Sequence, residues 1–498
     1  MSRAPSLLLV PVLALLAACG GGAERRRPDV VLIVVDTLRA DRLGTYGSGR
    51  PTSPVIDRLA RQGAVLLDNT SQSSWTRPSM VSLMQGRYIT DFRDLPLEGV
   101  PTLAEALRSA GYRGFAAVGN GLVSRDAGFD RGFEYFDDRA DQDATGAEGE
   151  QVPGQSRGGR KLVRDLVPVV AEALEEEGGD RPPFLVYLHL MDPHYPYVQA
   201  SRHDEELPVM GGFPLAGWQR EMYAEALGED YLGELEQESW EHLERLRGLY
   251  DQEVRTADDS VRLLLKQLEP LGLLDNTIIA LVADHGEMLY DQPSPEPMRK
   301  KDGKVGKVLP KRFFYRTHGV LLDRGLVGTP FLLQGPGVPA GVRLEQAVEN
   351  IDLVPTLLEL CDVGAPEGLH GKSLLPWLRG EESGPVRPFV YSFCLQNRSV
   401  REVATGWKLT VPNEQFAGIP GFEPSLHRLD EDPLELDDRH ESEPEVVARL
   451  MAELDRWAEE HPLTSNFGRE RSAEERETLR ALGYADDGPD DGLGDERR

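Results

Sequence analysis

Two apolar runs, each closing on an acid, constrain this chain more than any other feature. Val30-Val31-Leu32-Ile33-Val34-Val35 is continuous, rich in β-branched residues and ends at Asp36, and Thr277 to Ala283 repeats the pattern and ends at Asp284. Runs without polar alternation read as strands of a parallel sheet buried on both faces. Phe115 to Val118, Phe184 to Leu190 and Pro330 to Gln334 add further strands. Helical segments lie between them. One has Ser53 as N-cap, Pro54 at its first position, apolar Ile56, Leu59 and Ala60, and Gly63 as its stop; another runs from Thr102 to Ala110 and is closed by Gly111. Residues 236–268 read as one long amphipathic helix. This alternation predicts an α/β fold: a central mixed, mostly parallel sheet with helices on both faces. Function in such sheets gathers at the carboxyl ends of the strands, where Asp36, Asn120, the Asp192 to His194 turn and Asp284 all fall.

After Pro385 the character changes to short strand-like runs, Val390 to Phe393, Val400 to Val403 and Trp407 to Val411, followed by a helix from Pro444 to Glu459. These predict a small C-terminal antiparallel sheet with one helix. The expected division is a signal peptide at 1–18, a tether at 19–27, a catalytic α/β domain at 28–385, an α+β subdomain at 386–462 and a charged, partly disordered tail at 463–498.

A chain of 498 residues can bury a sizeable core. Its 55 Lys and Arg against 84 Asp and Glu give a net charge of -29, which argues against nucleic acid as a partner. An anionic substrate must then be drawn in by local positive charge. The stretch from Arg299 to Arg312, with Lys311 among its seven basic residues, is the candidate; the alternative is a solvated excursion. Three cysteines make no disulfide framework, and Cys361 and Cys394 read as small buried hydrophobes. Cys19 differs. Arg3, the apolar Leu7 to Ala18 and the sequence Leu16-Ala17-Ala18-Cys19 resemble the lipobox of bacterial lipoproteins, which implies cleavage before Cys19 and a lipid on its sulfur. The expected product is an exported, membrane-anchored protein, periplasmic or on the cell surface. The alternative is ordinary export.

Three segments carry candidate chemistry. Ser74-Trp75-Thr76-Arg77-Pro78-Ser79 places the Thr76 hydroxyl in the first turn of a helix, where free N–H groups and the helix dipole stabilise a developing alkoxide or a bound anion. Asp36 ends one strand, and Asp284-His285-Gly286-Glu287 ends another; two carboxylates and an imidazole suit a divalent metal. Gly286 is expected to let the backbone turn sharply under the ion. Taken alone, an acid at a strand end is more often a loop cap. Together the segments predict a metal held by Asp36, Asp284 and His285 and touching Thr76, with Thr76 as nucleophile. His194, aimed by the turn Asp192-Pro193-His194-Tyr195-Pro196, is a candidate donor to a non-bridging oxygen or to the leaving group, and His318 is a further candidate catalytic residue. For His194 the alternative is a cap on its own turn. His189 reads as a core histidine or a support for the site. Arg77, Asn120 and Lys311 are the expected substrate contacts.

At this point the chain resembles the sulfatases of the alkaline phosphatase superfamily. The resemblance rests on Asp36-Thr37-Leu38-Arg39-Ala40-Asp41, Met191 to Tyr197, Ala283 to Glu287, Gly335-Pro336-Gly337 and Leu429-Asp430-Glu431-Asp432-Pro433. It implies an alkaline-phosphatase-like sheet, one divalent metal (calcium, manganese or zinc), no organic cofactor, and an anionic ester as substrate, on an envelope glycan or lipid. Two positions depart from the family pattern. Family members carry Cys or Ser at the Thr76 position, oxidised to formylglycine, with Arg four residues on; here the pair is Thr76 and Met80. Many carry a second acid where Thr37 stands, and Asn where His285 stands. The resemblance therefore implies a sulfuric or phosphoric ester hydrolase using Thr76. The alternatives are a phosphodiesterase or phosphotransferase that moves a phospho-head group, and an inactive ligand-binding lipoprotein.

Overall fold

The computed structural model describes residues 26–89, 100–139, 157–175, 181–195, 197, 238–289, 318–418 and 422–462, with residues 238–244 described for the backbone only. Among these, eight strands form one sheet: β1 (Asp29–Val35), β2 (Ala64–Thr70), β3 (Arg113–Val118), β4 (Tyr135–Asp137), β5 (Phe184–Leu190), β6 (Thr277–Val282), β7 (Phe331–Gln334) and β8 (Val342–Glu349). Their order is β4-β3-β5-β1-β6-β7-β2-β8, and β7 alone runs against its neighbours. The expected mixed, mostly parallel sheet is what the chain forms. A second sheet of four antiparallel strands holds β9 (Phe389–Phe393), β10 (Asn397–Glu402), β11 (Trp407–Pro412) and β12 (Ser425–Arg428), in the order β12-β11-β10-β9. The Pro444–Glu460 helix packs on it through Leu450, Leu454 and Trp457.

β1, β5 and β6 are buried along their whole length, as their unbroken apolar runs require. Period-two alternation sorts their residues into two cores. Val31, Ile33 and Val35 face α1 (Pro54–Gln62), α4 (Gly159–Glu175) and α5 (Glu238–Leu268); Val30, Leu32 and Val34 face α2 (Thr76–Gln85), α3 (Leu103–Ser109) and the Leu353–Leu360 helix. β8 was not evident in the pattern because Arg343, Glu345 and Gln346 interrupt it, as suits a sheet edge that must discourage further pairing. β2 turns polar halfway and shifts register between Leu66 and Asp68.

Helix starts and stops follow the predicted signals, with two differences of mechanism. Thr102 and Glu105 close a capping box on α3. Ser53 precedes α1 but its side chain does not cap it. Asp258 of α5 does so instead, accepting from Val55 N at 3.0 Å and Ile56 N at 2.8 Å. Gly63 ends α1 in an extended conformation (φ −134°), not a left-handed one. It must be glycine because a Cβ there would lie 2.0 Å from the carbonyl oxygen of Leu333.

Among the described residues, no helix is long and apolar enough to cross a membrane. Cys19, the basic stretch with Lys311 and the 463–498 tail lie outside the described residues.

Candidate active site

Four neighbouring strands, β3-β5-β1-β6, bring their carboxyl ends to one place. Parity then selects the residues. Ala116 and Val118 share a face with Leu185 and Tyr187, with Leu32 and Val34, and with Ala280 and Val282. Continuing that alternation past the apolar part gives Asn120, His189, Asp36 and Asp284. All four are buried, and together they form a polar floor at the end of an apolar face. His189 Nε2 lies 3.1 Å from Asp36 Oδ2, and Asn120 Nδ2 donates to the same oxygen at 2.5 Å.

α2 lowers Thr76, its first residue, onto this floor. Thr76 Oγ1 lies 3.5 Å from Asp36 Oδ2, 3.2 Å from His285 Nε2 and 3.3 Å from Asn120 Nδ2. One turn on, Ser79 Oγ donates to the Asp284 carbonyl at 2.5 Å, and Ser71 Oγ donates to that same oxygen. These hydroxyls tie the start of α2 to the Asp284 turn. Gly286 is tightly placed: a Cβ would stand 2.1 Å from Gly325 O, so close packing and not a left-handed turn requires glycine. Thr37, by contrast, does adopt a left-handed φ of 55°. Its N–H donates to Asp284 Oδ1 at 3.2 Å and its carbonyl accepts from Tyr250 Oη at 2.7 Å. A β-branched residue held there costs roughly 1–3 kcal/mol, a cost common beside functional sites.

The donor set fits a divalent cation. Asp36, His189 and Asp284 offer ligand-type atoms within 4.8 Å of one another. His285 Nε2 adds to them, 3.4 Å from Asp284 Oδ2 and 3.8 Å from Asp36 Oδ1. Asp36 Oδ1 and Asp284 Oδ2 are buried and accept no hydrogen bond from the described residues. Two buried carboxylates with idle oxygens are costly without a positive charge between them. Burial works against ionised Asp36, but the His189 hydrogen bond first, and the neighbouring His194 and His285 rings after it, outweigh it and hold that carboxyl low. Burial and the charge of Asp36 push Asp284 far up. His285 is pushed down to about 3, by burial first and then by His318, so its imidazole is neutral. Its Nδ1 faces the Gly286 carbonyl at 2.8 Å, which leaves Nε2 as the lone pair pointing at Thr76.

Above Thr76 stands a second imidazole group. The His318 ring lies 4.6 Å from that of His285 and 5.1 Å from that of His194. His318 Nδ1 lies 3.0 Å from Glu287 Oε1. Burial lowers the His318 pKa, yet the Glu287 carboxylate beside it prevails and the net shift is upward, favouring the proton-carrying form. His194 moves downward, chiefly through burial.

Of the residues singled out in the sequence, Asp36, Thr76, Asn120, His194, Asp284, His285 and His318 meet here. Arg77 is the second residue of α2 and half-buried. His189, read from the sequence as core or support, stands among the metal-type ligands, and Glu287, Ser71 and Ser79 were not singled out as site groups. His189 was detectable by parity, since it sits two residues after Tyr187 on the face that carries Asp36. Nothing local marked Ser71 and Ser79, because their shared target is a backbone carbonyl more than 200 positions away.

A family model described as sulfatase matches residues 28–363, and one described as N-sulphoglucosamine sulphohydrolase, C-terminal, matches residues 311–460. The chain is 25% identical over 367 residues to an ulvan-active sulfatase of Formosa agariphila, covering 70% of this chain and 64% of that protein. It thus spans under two thirds of that relative's length. It is 24% identical over 404 residues to a choline-sulfatase of Rhizobium meliloti, covering 72% and 73% of the two chains. A solved structure described as a complex with its substrate D-glucosamine-2-N,6-O-disulfate shares the fold with a TM-score of 0.64 at 18% identity, covering 88% of this chain and 98% of that one.

Proposed function

The chain belongs to the sulfatase family, and from that premise we propose that it hydrolyses a sulfuric or phosphoric ester with Thr76 as nucleophile. The observation that carries this is the Thr76 hydroxyl at the start of α2, enclosed by Asp36, Asn120 and His285. Asp36, Asp284, His189 and His285 would hold a divalent cation, and the mixed carboxylate and imidazole set favours manganese or zinc over calcium. When bound, that ion would withdraw charge from the oxygens around it.

The chain's own groups account for the remaining steps. With His285 Nε2 committed to the cation, Asp36 Oδ2 is the acceptor within reach of the Thr76 hydroxyl proton. The Thr76 oxygen attacks the sulfur or phosphorus atom, and the bond to the leaving oxygen breaks. His318, whose proton-carrying form Glu287 favours, gives its proton at that oxygen; His194, whose Nδ1 faces the Tyr195 carbonyl, would contact the substrate through Nε2 and donate there only when doubly protonated. Water then attacks the threonine ester and gives its proton to the emptied His318, the bond to Thr76 Oγ1 breaks, and that oxygen takes back the proton held at Asp36. The names of relatives that act on ulvan and on glucosamine disulfate support a sugar ester as the substrate.

Thr76 itself favours a second reading, hydrolysis at phosphorus. A secondary alcohol gives no aldehyde on oxidation, so Thr76 must act as a plain alkoxide and its covalent ester must be cleared by direct attack of water. Turnover of an aryl sulfate, an aryl phosphate monoester and an aryl phosphodiester by manganese- or zinc-loaded protein separates the readings. Thr76→Ala should lose at least about a thousandfold in turnover, in the range that removal of a nucleophile costs. Equal turnover by wild type and Thr76→Ala would remove Thr76 from the chemistry.

A further inference from the structure

Trp75, Leu122 and Met191 form a small apolar cluster separate from the two cores, with Leu122 and Met191 buried and Trp75 half-buried. Each belongs to a segment that also delivers a site residue. Trp75 directly precedes Thr76. Leu122 N donates to the Oδ1 of Asn120 at 2.8 Å. Met191 follows β5, two residues after His189. A fourth segment closes against the indole: Gly319, next to His318, has a φ of +87°, and a Cβ there would lie 3.6 Å from Trp75 Cβ and Cδ1. The indole is therefore held by the segments that carry Asn120, His189 and His318, directly before Thr76, and it stays half-open.

Leu122 and Met191 are too buried to meet a ligand, so their effect is to fix the plane of the ring. A rigid, half-open indole beside a charged centre offers a large apolar face at little entropic cost. The polar floor would take the sulfo or phospho group, and the rest of the ester would extend toward the half-open indole. We infer that Trp75 is the platform for the leaving alcohol, and that the preferred ester carries a six-membered ring with one apolar face, either an aryl ring or a pyranose, over an acyclic alcohol. This rests on the reading of Thr76 as nucleophile only for the direction in which the ester lies; binding tests it separately from turnover.

The experiment is calorimetric titration of manganese-loaded Thr76→Ala protein with phenyl sulfate, a hexopyranose 6-sulfate and ethyl sulfate, repeated with Trp75→Leu and Trp75→Phe added. Ring esters should bind roughly three- to tenfold tighter than ethyl sulfate, the preference should collapse in Trp75→Leu, and Trp75→Phe should retain most of it. The stronger of the two ring ligands identifies the source of the ring. A ring preference that survives Trp75→Leu, no preference with Trp75 in place, or an equal loss for all three ligands would overturn the proposal. Absence of turnover by the Thr76 protein would count against the hydrolase and leave these binding ratios readable.

Discussion

The imidazole of His189 has two neighbours at once, Tyr187 Oη at 2.7 Å from Nδ1 and Asp36 Oδ2 at 3.1 Å from Nε2. Tyr187 is wholly buried, and burial drives its pKa far up, so it is a neutral phenol that orients the ring. A ligand and its orienting partner act together on metal affinity. His189→Gln should therefore weaken divalent-cation binding by roughly 10–100-fold, read by competition with a chelating dye, while leaving far-UV circular dichroism unchanged. Unaltered affinity would return His189 to a purely structural role. In the wild type a cation that binds only the folded state should raise stability by about 2.7 kcal/mol at a hundredfold excess over its Kd.

At the level of elements, the telling contact is the cap that α5 supplies to α1. Asp258 is buried on α5 and satisfies two of the free N–H groups of α1. Asp258→Ala should cost about 1–2 kcal/mol, as loss of a cap does. Its titration gives a second readout. Burial pushes the Asp258 pKa from 3.8 up to about 7, with the N–H groups of Ile56 and Val55 pulling the other way. The folded state thus keeps a proton that the unfolded chain releases. Its contribution to stability is whole below the unfolded value of 3.8 and is lost as pH rises toward the folded value of about 7. Asp258→Asn cannot titrate, so urea midpoints at about pH 5 and about pH 8 should fall less with rising pH in the variant than in the wild type. Parallel slopes in the two proteins would show that Asp258 is ionised throughout.

Across the whole molecule, the second sheet is tied into the first beside the site. Phe393 N donates to Gln72 O at 2.8 Å and Ser392 Oγ to Ser71 O at 2.6 Å, and Ser71 in turn holds the Asp284 carbonyl. Arg401 grips Asp68 of β2 with both Nη atoms, at 3.0 and 2.8 Å. Deeper in, Arg387 pairs with both Glu349 and Asp352, which also accept from Tyr88 Oη and Lys372 N. Breaking such a buried set from one side strands its charges. Arg387→Met should cost about 3–5 kcal/mol in denaturant titration, and the protein should still unfold in one transition reported alike by both sheets. A loss under about 1 kcal/mol would mean that water reaches these carboxylates.

The unbroken apolar runs determined the parallel core by themselves, because only strands covered on both faces tolerate such composition. The acids that close β1 and β6 and the proline-bearing turn after Thr76 likewise announced a metal-type floor and a hydroxyl at a helix start. Those are local signals, carried by spacing within one segment. The tertiary structure alone decided that β3, β5, β1 and β6 are neighbours, and hence that Asn120 and His189 join Asp36 and Asp284. It also decided that Glu287 reaches His318, that Ser71 and Ser79 converge on one carbonyl, and that Asp258 caps a helix some 200 residues away. The physical reason is common to all of these. A hydrogen bond or a buried charge needs a partner in space, and the chain's order in sequence does not say which strand end or helix will supply it.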